Sequence, residues 1–204
     1  MPIAVPAAIL YTRNQYAFLS SLVSKFGHES SKSLGNELPQ EVKEELLMWK
    51  QLRSDLLNGS RWYGVQRGWL RMDKILSHTD ASSRRWAGVY SSPDFILRIS
   101  EDFSQDEVQR HINEKEAMAL YKFLWNLLQK DPLLFEGKTI HIQVDNEVLN
   151  RIYNRGGSSR QLFITNICKK LFWLQVQYKC QLEVSGVATI SNQVDAMTRE
   201  DMYI

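Results

Sequence analysis

Four acids of this chain stand where chemistry would need them: Asp80, Glu116, Asp145 and Asp195. Asp80 follows a short apolar run, Lys74-Ile75-Leu76, and precedes a polar turn, Ala81-Ser82-Ser83, and a second β-like run, Trp86-Ala87-Gly88-Val89-Tyr90. An acid at the core-facing end of a central strand is expensive to desolvate unless something pairs with it, and a bound metal ion is a natural partner. Asp145 ends another strand-like run and is followed by Asn146. In open α/β sheets ligands gather at the carboxyl ends of strands, so acids ending two central strands can be neighbours in space. Glu116 lies in a helical pattern. At about 100° per residue it falls within the stripe of Ile112, Ala119, Leu120, Phe123 and Leu127, whereas Glu114 points roughly the opposite way. A glutamate in the face that packs on a sheet needs a reason, and a catalytic or metal-facing role is one. Asp195 opens a last short helix within Ser191-Asn192-Gln193-Val194-Asp195-Ala196-Met197-Thr198-Arg199.

Each acid also has a plainer reading. Asp145 can cap the helix that begins near Glu147. Glu116 can be a satisfied structural glutamate. Asp195 can be a first-turn acid favoured by the helix dipole. Together, however, the four can converge on one edge of one sheet. Clustered carboxylates repel, and one must hold a proton unless cations are bound. Carboxylate oxygens suit hard Mg²⁺, which keeps waters and is shared with phosphate groups. Two such ions, about 4 Å apart, activate a water and stabilise the leaving oxygen of a phosphodiester. No Ser-His-Asp set, cysteine nucleophile, phosphate-cradling glycine loop or zinc spacing competes with that chemistry.

The elements that must position the acids begin at residue 74. Residues 74–80, 86–91 and 95–99 predict three short strands joined by turns. A strong helix is predicted from 109 to about 129, stopped by Pro132. Residues 139–145 alternate, with Ile140, Ile142 and Val144 on one face and His141, Gln143 and Asp145 on the other. Helices over 147–153 and 159–178, a strand over 181–185 and a short helix over 193–199 complete the pattern. Antiparallel strands followed by helical crossovers imply an α/β fold, a mixed five-stranded sheet with helices on both faces. Residues 1–73 read as a helical extension. Residues 1–30 look helical after Pro6, and 27–35 form a polar loop. A second helix starts near Pro39, carries Leu46, Leu47, Trp49, Leu52, Leu56 and Leu57 on its apolar face, and ends at Asn58-Gly59. Residues 60–73 interleave arginine with tryptophan, which suits stacking on bases and equally suits a half-buried hairpin.

Composition narrows the class. A chain of 204 residues makes one large domain, or one domain with an extension. Its 44% apolar and 24% charged content is ordinary for a globular protein. A formal net charge of +2 does not announce a nucleic-acid binder, so any such binding comes from local patches. Cys168 and Cys180 form neither a disulfide framework nor a zinc set. They read as reduced core thiols, which points to an intracellular protein, cytoplasmic or nuclear. The apolar N-terminus lacks a basic leader, so no signal peptide is expected. No stretch approaches the length of a membrane span, and no membrane partner is expected.

Taken in order, Thr79-Asp80-Ala81-Ser82, Ile112-Asn113-x-x-Glu116, Val144-Asp145-Asn146 and Asn192-x-x-Asp195-Ala196-x-x-Arg199 resemble the ribonuclease H domain of retroelement reverse transcriptases. The closest flavour is the DIRS/Ngaro group of tyrosine-recombinase retrotransposons. The loop Asn154-Arg155-Gly156-Gly157-Ser158-Ser159-Arg160 resembles that group too, and the helix near Pro39 resembles the connecting segment upstream of the domain. The resemblance implies a ribonuclease H-like domain over 74–204 behind a connection-like segment over 1–73. It implies hydrolysis of the RNA strand of an RNA–DNA hybrid with two Mg²⁺ ions, Mn²⁺ substituting. By it, Asp80 and Asp145 ligate metal. Glu116 ligates one metal and helps place the hybrid near a ribose hydroxyl, the group that tells RNA from DNA. Asp195 holds the metal on the leaving-group side. Arg84, Arg85, Asn146, Arg155 and Arg160 become contacts to nucleic acid, with Arg151, Lys169 and Lys170 as further phosphate candidates. A solvated surface charge is the plain reading of each cation. The implied partners are an RNA–DNA hybrid or RNA, and a reverse transcriptase polymerase region.

Two departures stand out. Arg85 and Ala87 lie where the family tends to carry glycine, so the turn over 82–85 works without glycine's tolerance of positive φ. The loop Ser185-Gly186-Val187-Ala188-Thr189-Ile190 lacks the histidine found in many cellular relatives, which implies slow or differently managed product release. These leave room for a domesticated binding or scaffold protein on the same fold. A nuclease acting on DNA or structured RNA is a third reading. His78, on the strand face of Asp80, is expected either to pack under a helix or to support an acid.

Overall fold

The computed structural model describes residues 15–16, 19–20, 38–57, 70–71, 76–93, 95–158, 160–192 and 194–199. The chain divides into two compact units, Met1–Val65 and Gln66–Ile204. In the first unit, Gln15, Tyr16, Leu19 and Ser20 are helical, and α1 spans Gln40–Leu57. Among the described side chains its buried positions are Val42, Glu45 and Met48, while Leu46 and Leu47, expected on the apolar face, are exposed. The Glu45 carboxylate accepts the Gln15 backbone N–H at 3.1 Å, which turns that face of the helix inward. Of the arginine- and tryptophan-rich stretch, only Leu70 and Arg71 are described; the rest of 60–73 lies outside the described residues.

The second unit is built on β1 (Leu70–Arg71), β2 (Leu76–Ala81), β3 (Arg85–Ser91), β4 (Ile96–Asp102), β5 (Lys138–Val144) and β6 (Gln181–Gly186). Its helices are α2 (Gln105–Val108), α3 (Ile112–Lys130), α4 (Pro132–Phe135), α5 (Glu147–Asn154), α6 (Leu162–Tyr178) and α7 (Asp195–Thr198). Across the sheet the long strands run β4-β3-β2-β5-β6, with β2, β3 and β4 antiparallel and β5 parallel to both β2 and β6. The two-residue β1 pairs with the start of β5 on the side where β2 pairs with its end. This is the expected mixed five-stranded α/β sheet, with β1 as a short addition.

Burial follows position. Residues 77–81 of β2 and 86–90 of β3 are buried without alternation, as central strands covered on both faces must be. The edge strand β4 alternates, with Leu97 and Ile99 half-buried and Ile96, Arg98 and Ser100 exposed. Helix α3 lies against β2, β3 and α6, burying Ala117, Ala119, Leu120, Phe123, Leu124, Leu127 and Leu128. Its approach to β3 is close: a Cβ on Gly88 would lie 2.1 Å from a Phe123 ring carbon. Glycine at that position is what lets the helix sit on the strand. Val89 and Ala87, which face the other way, pack with Val194 and Met197. So α3 and α7 cover opposite faces of β3.

Several boundaries differ from expectation for local reasons. The helix predicted from 109 begins at Ile112, and a separate short helix over 105–108 precedes it. Ser104 and Glu107 form a capping box that starts α2, and Gln109 ends it. His111 then caps α3, its Nδ1 accepting the Asn113 N–H at 3.2 Å. Ile112, placed in the apolar stripe by periodicity, sits in the first turn and is 42% exposed. The third strand runs on to Asp102 because Arg85–Asp102 remains in register with β3. Helix α6 begins at Leu162 rather than 159, and the last helix is a single turn. Among the described residues no helix is long and apolar enough to cross a membrane.

Candidate metal centre

Strand register brings the first two acids together. Parallel pairing of Thr79 with Val144 makes Asp80 and Asp145 the next residues on adjacent strands. The third arrives from α3, whose seat on Gly88 carries Glu116 to the end of β2. Asp80, Glu116 and Asp145 each offer a carboxylate oxygen, and the three oxygens lie within 4.8 Å of one another. Asp80 and Glu116 are each 4% exposed, and Asp145 is half-buried.

Three carboxylates so placed cannot all ionise unaided. Burial pushes the Glu116 carboxyl up to about 9, with Asp80 and then Asp145 adding repulsion. Asp80 is raised as well, first by burial, against a hydrogen bond from Thr198, with Asp145 and Asp195 pushing it further up. The Ala81 backbone N–H opposes the rise at both groups. Glu116 Oε2 is buried with no hydrogen-bond partner among the described residues. An orphaned carboxylate oxygen beside two more, with oxygen donors only, fits a hard divalent cation.

Asp195 is not in this group. Its Oδ1 pairs with Arg199 Nη2 at 2.7 Å, one turn on, and it reaches Asp80 only as a nearby charge. Thr198 occupies the place beside Asp80 instead, its Oγ1 lying 2.5 Å from Asp80 Oδ2. Nothing in the sequence flagged Thr198. Its bond to Asp80 spans 118 residues of chain and depends on how α7 docks.

Asn146 follows Asp145 and serves as the N-cap of α5, its Oδ1 accepting the Leu149 N–H at 2.9 Å. Its Nδ2 donates to Asn113 Oδ1 at 3.0 Å, tying the start of α5 to the start of α3. Arg85 pairs with Asp102 at 2.8 Å. Arg84, Arg155 and Arg160 are exposed, and their side chains make no bond among the described residues. Arg151 pairs with Glu147, and Lys170 lies over the Tyr121 ring. Arg155 lies at the end of α5, followed by Gly156 and Gly157 at φ of 68° and 97°, and Arg160 lies just before α6.

The glycine-free turn after Asp80 closes without strain. Ser82 donates its N–H to the Arg85 carbonyl at 2.8 Å and accepts the Arg85 N–H on its hydroxyl at 3.1 Å. No residue of 82–85 has positive φ. Lys115, a second residue the sequence did not single out, is buried and donates to the Ser83 carbonyl at 2.6 Å. His78 is buried, with neither ring nitrogen bonded among the described residues; burial and then His141 lower its pKa. It makes no hydrogen bond to an acid, which leaves it as a neutral packing residue. Cys168 and Cys180 are buried free thiols, as expected.

No family model matches the chain, and no curated protein matches it. Solved structures do. LC11-RNase H1, isolated from compost by a metagenomic approach, is 16% identical and aligns with 64% of this chain and 95% of its own, at a TM-score of 0.50. RNase H1 from the halophilic archaeon Halobacterium salinarum NRC-1 is 14% identical over 61% of this chain and 90% of its own, at 0.48. A foamy viral protease–reverse transcriptase, solved with double-stranded DNA, is 12% identical over 93% of this chain and 34% of its own, at 0.41. The likeness to the compost enzyme concerns the fold: the mixed sheet and flanking helices of this chain have the ribonuclease H-like arrangement.

Proposed function

We propose that the chain is a metal-dependent endonuclease that hydrolyses the RNA strand of RNA–DNA hybrids, derived from a retroelement of the DIRS/Ngaro kind. The observation that carries this reading is the group Asp80, Glu116 and Asp145, three carboxylate oxygens within 4.8 Å at the carboxyl edge of a ribonuclease H-like sheet. Bound there, two Mg²⁺ ions (or Mn²⁺) supply an activated water and neutralise charge on the departing oxygen of the phosphodiester. The residues of the chain do the rest. Asp80 and Asp145 would ligate the cations. Glu116 would be a third ligand, releasing the proton that its burial favours, and would help place the hybrid near a ribose 2′-hydroxyl, the group that distinguishes RNA. Asp195, paired with Arg199 and outside the three-acid group, would join as a fourth acid that helps hold the metal on the leaving-group side. Exposed Arg84, Arg155 and Arg160 take phosphates, Asn146 braces the edge through Asn113, and Arg85 is the weaker candidate because Asp102 holds it. A polymerase region is the natural partner of such a domain.

The Asp195–Arg199 pair favours one other reading, a nucleic-acid-binding module with little chemistry, since it leaves three acids rather than four in play. The purified chain incubated with an RNA–DNA hybrid, with and without Mg²⁺ or Mn²⁺, separates the two. Cleavage of the RNA strand is expected only with metal. Asp145→Asn is expected to lower it by about 10²–10³-fold, the scale of losing one preorganised electrostatic group. A wild-type chain that binds hybrid and cuts nothing is a binding module. One that prefers DNA or structured RNA is a nuclease of another class.

A further inference from the structure

Helix α7 carries two polar side chains toward Asp80, and they are handled differently. Asp195 is turned to Arg199 and is half-buried. Thr198 is 6% exposed, and its hydroxyl lies 2.5 Å from Asp80 Oδ2 and 3.0 Å from the Asp195 carbonyl. A single turn of helix has little stability of its own, so its position comes from what it docks on. Three anchors fasten it. Val194 and Met197 pack on Ala87 and Val89 of β3. Ser100 Oγ of β4 donates to the Met197 carbonyl at 3.2 Å. Buried Asn192 donates to the Thr79 carbonyl of β2 at 3.4 Å and accepts the Val194 N–H at 3.3 Å. The Thr198 hydroxyl is therefore held in place by β2 itself, which carries Asp80, and by β3 and β4.

We propose that Thr198 is a positioning residue for the metal centre: its buried hydroxyl holds one oxygen of Asp80 so that the other is presented, with Glu116 and Asp145, to a divalent cation. This rests on the metal-centre reading above. A carboxylate that accepts a short O–H bond has its terminal torsion fixed, where a free one rotates broadly. Mg²⁺ demands near-ideal octahedral geometry and tolerates a misplaced oxygen poorly. Partners that orient metal ligands are worth about 10–100-fold in metal affinity. Glu116 Oε2 has no such hydroxyl partner among the described residues, so the side-chain bond that orients a ligand in advance falls on Asp80.

The test measures Mn²⁺ binding to the full chain by calorimetry, without nucleic acid, beside thermal melting and hybrid cleavage. Thr198→Val removes the hydroxyl and keeps the shape, Thr198→Ala removes both, and Thr198→Ser keeps the hydroxyl. Thr198→Val is expected to melt near the wild type, bind Mn²⁺ about 10–100-fold more weakly and need correspondingly more metal for cleavage. Thr198→Ser is expected to restore affinity to within a few-fold. A folded Thr198→Val chain with wild-type Mn²⁺ affinity overturns the assignment, as does a Thr198→Ser chain no better than Thr198→Val. Unfolding of both Thr198→Val and Thr198→Ala overturns it as well, because the residue is then structural. A wild-type chain that neither binds Mn²⁺ nor cleaves hybrid overturns the metal-centre reading and this one with it. Wild-type binding with an unaffected Thr198→Val overturns this one alone.

Discussion

Glu116 and Asp195 are both acids beside Asp80, and the fold treats them in opposite ways. Glu116 sits on a helix of 19 residues wedged onto the sheet, buried, with one oxygen unpartnered among the described residues and its carboxyl pushed up to about 9. Asp195 sits on a helix of 4 residues, half-buried, with an arginine one turn away to neutralise it. The first arrangement costs stability; the second costs almost nothing. Packing that forces an acid into the company of two others, and leaves one of its oxygens without a partner among the described residues, is what a cation site requires. An acid paired with its own arginine carries no such mark.

That contrast can be broken at several points. The largest effects are expected at the acids. Asp195→Asn is expected to slow metal-dependent hybrid cleavage by about tenfold, against about 10²–10³-fold for Asp145→Asn. Equal losses in the same assay would make Asp195 a full member of the centre and erase the difference. Next comes the seat of Glu116. Gly88→Ala puts a methyl group into the Phe123 ring and is expected to destabilise the domain by about 1–3 kcal/mol or more in chemical denaturation. At temperatures where it remains folded without denaturant it should also weaken Mn²⁺ binding, because α3 must lift. Wild-type stability in Gly88→Ala would show that the helix is not held where we place it.

A smaller effect concerns pH. The Glu116 carboxyl is raised from 4.5 to about 9, so the folded chain keeps a proton that the unfolded chain releases. Its contribution to stability is complete below about 4.5 and drains away as pH rises from there through about 9. The melting temperature of metal-free protein is therefore expected to fall by several degrees across that window. Glu116→Gln should flatten the profile, and saturating Mg²⁺ should lift its alkaline end. A metal-free wild type whose pH profile matches Glu116→Gln would mean that Glu116 is not strained. The smallest effects are expected at the rim. Arg155→Ala with Arg160→Ala should weaken hybrid binding a few-fold and lower the salt slope by about one unit for each phosphate left without its cation. An unchanged slope would return both arginines to ordinary surface charge.

Much of the scaffold is legible in the chain because its signals are local. Alternation in 139–145 marks β5, and apolar spacing over 116–128 marks most of α3, since periodicity reports which face is buried whatever the partner. The misread boundaries have local causes that hydrophobicity does not register. Periodicity runs through 109–112, but α2, opened by the Ser104–Glu107 capping box, ends at Gln109, and the His111 cap begins α3 only at Ile112. On α1, Leu46 and Leu47 fall on the buried face by spacing, yet the inward face carries Glu45, satisfied by the backbone N–H of Gln15.

The candidate site divides along the same line. Asp80, Glu116 and Asp145 are marked by sequence alone, because an acid ending an apolar run or interrupting an apolar stripe is anomalous by type and spacing. What the sequence does not contain is register. Only the pairing of Thr79 with Val144 sets Asp80 next to Asp145, and only the bare face of Gly88 lets α3 come close enough to add Glu116. Only the docking of α7 decides that Thr198, and not Asp195, reaches Asp80. Residue type and periodicity are properties of neighbours along the chain. Hydrogen-bond geometry across 118 residues is a property of packing, and packing exists only once the chain has folded.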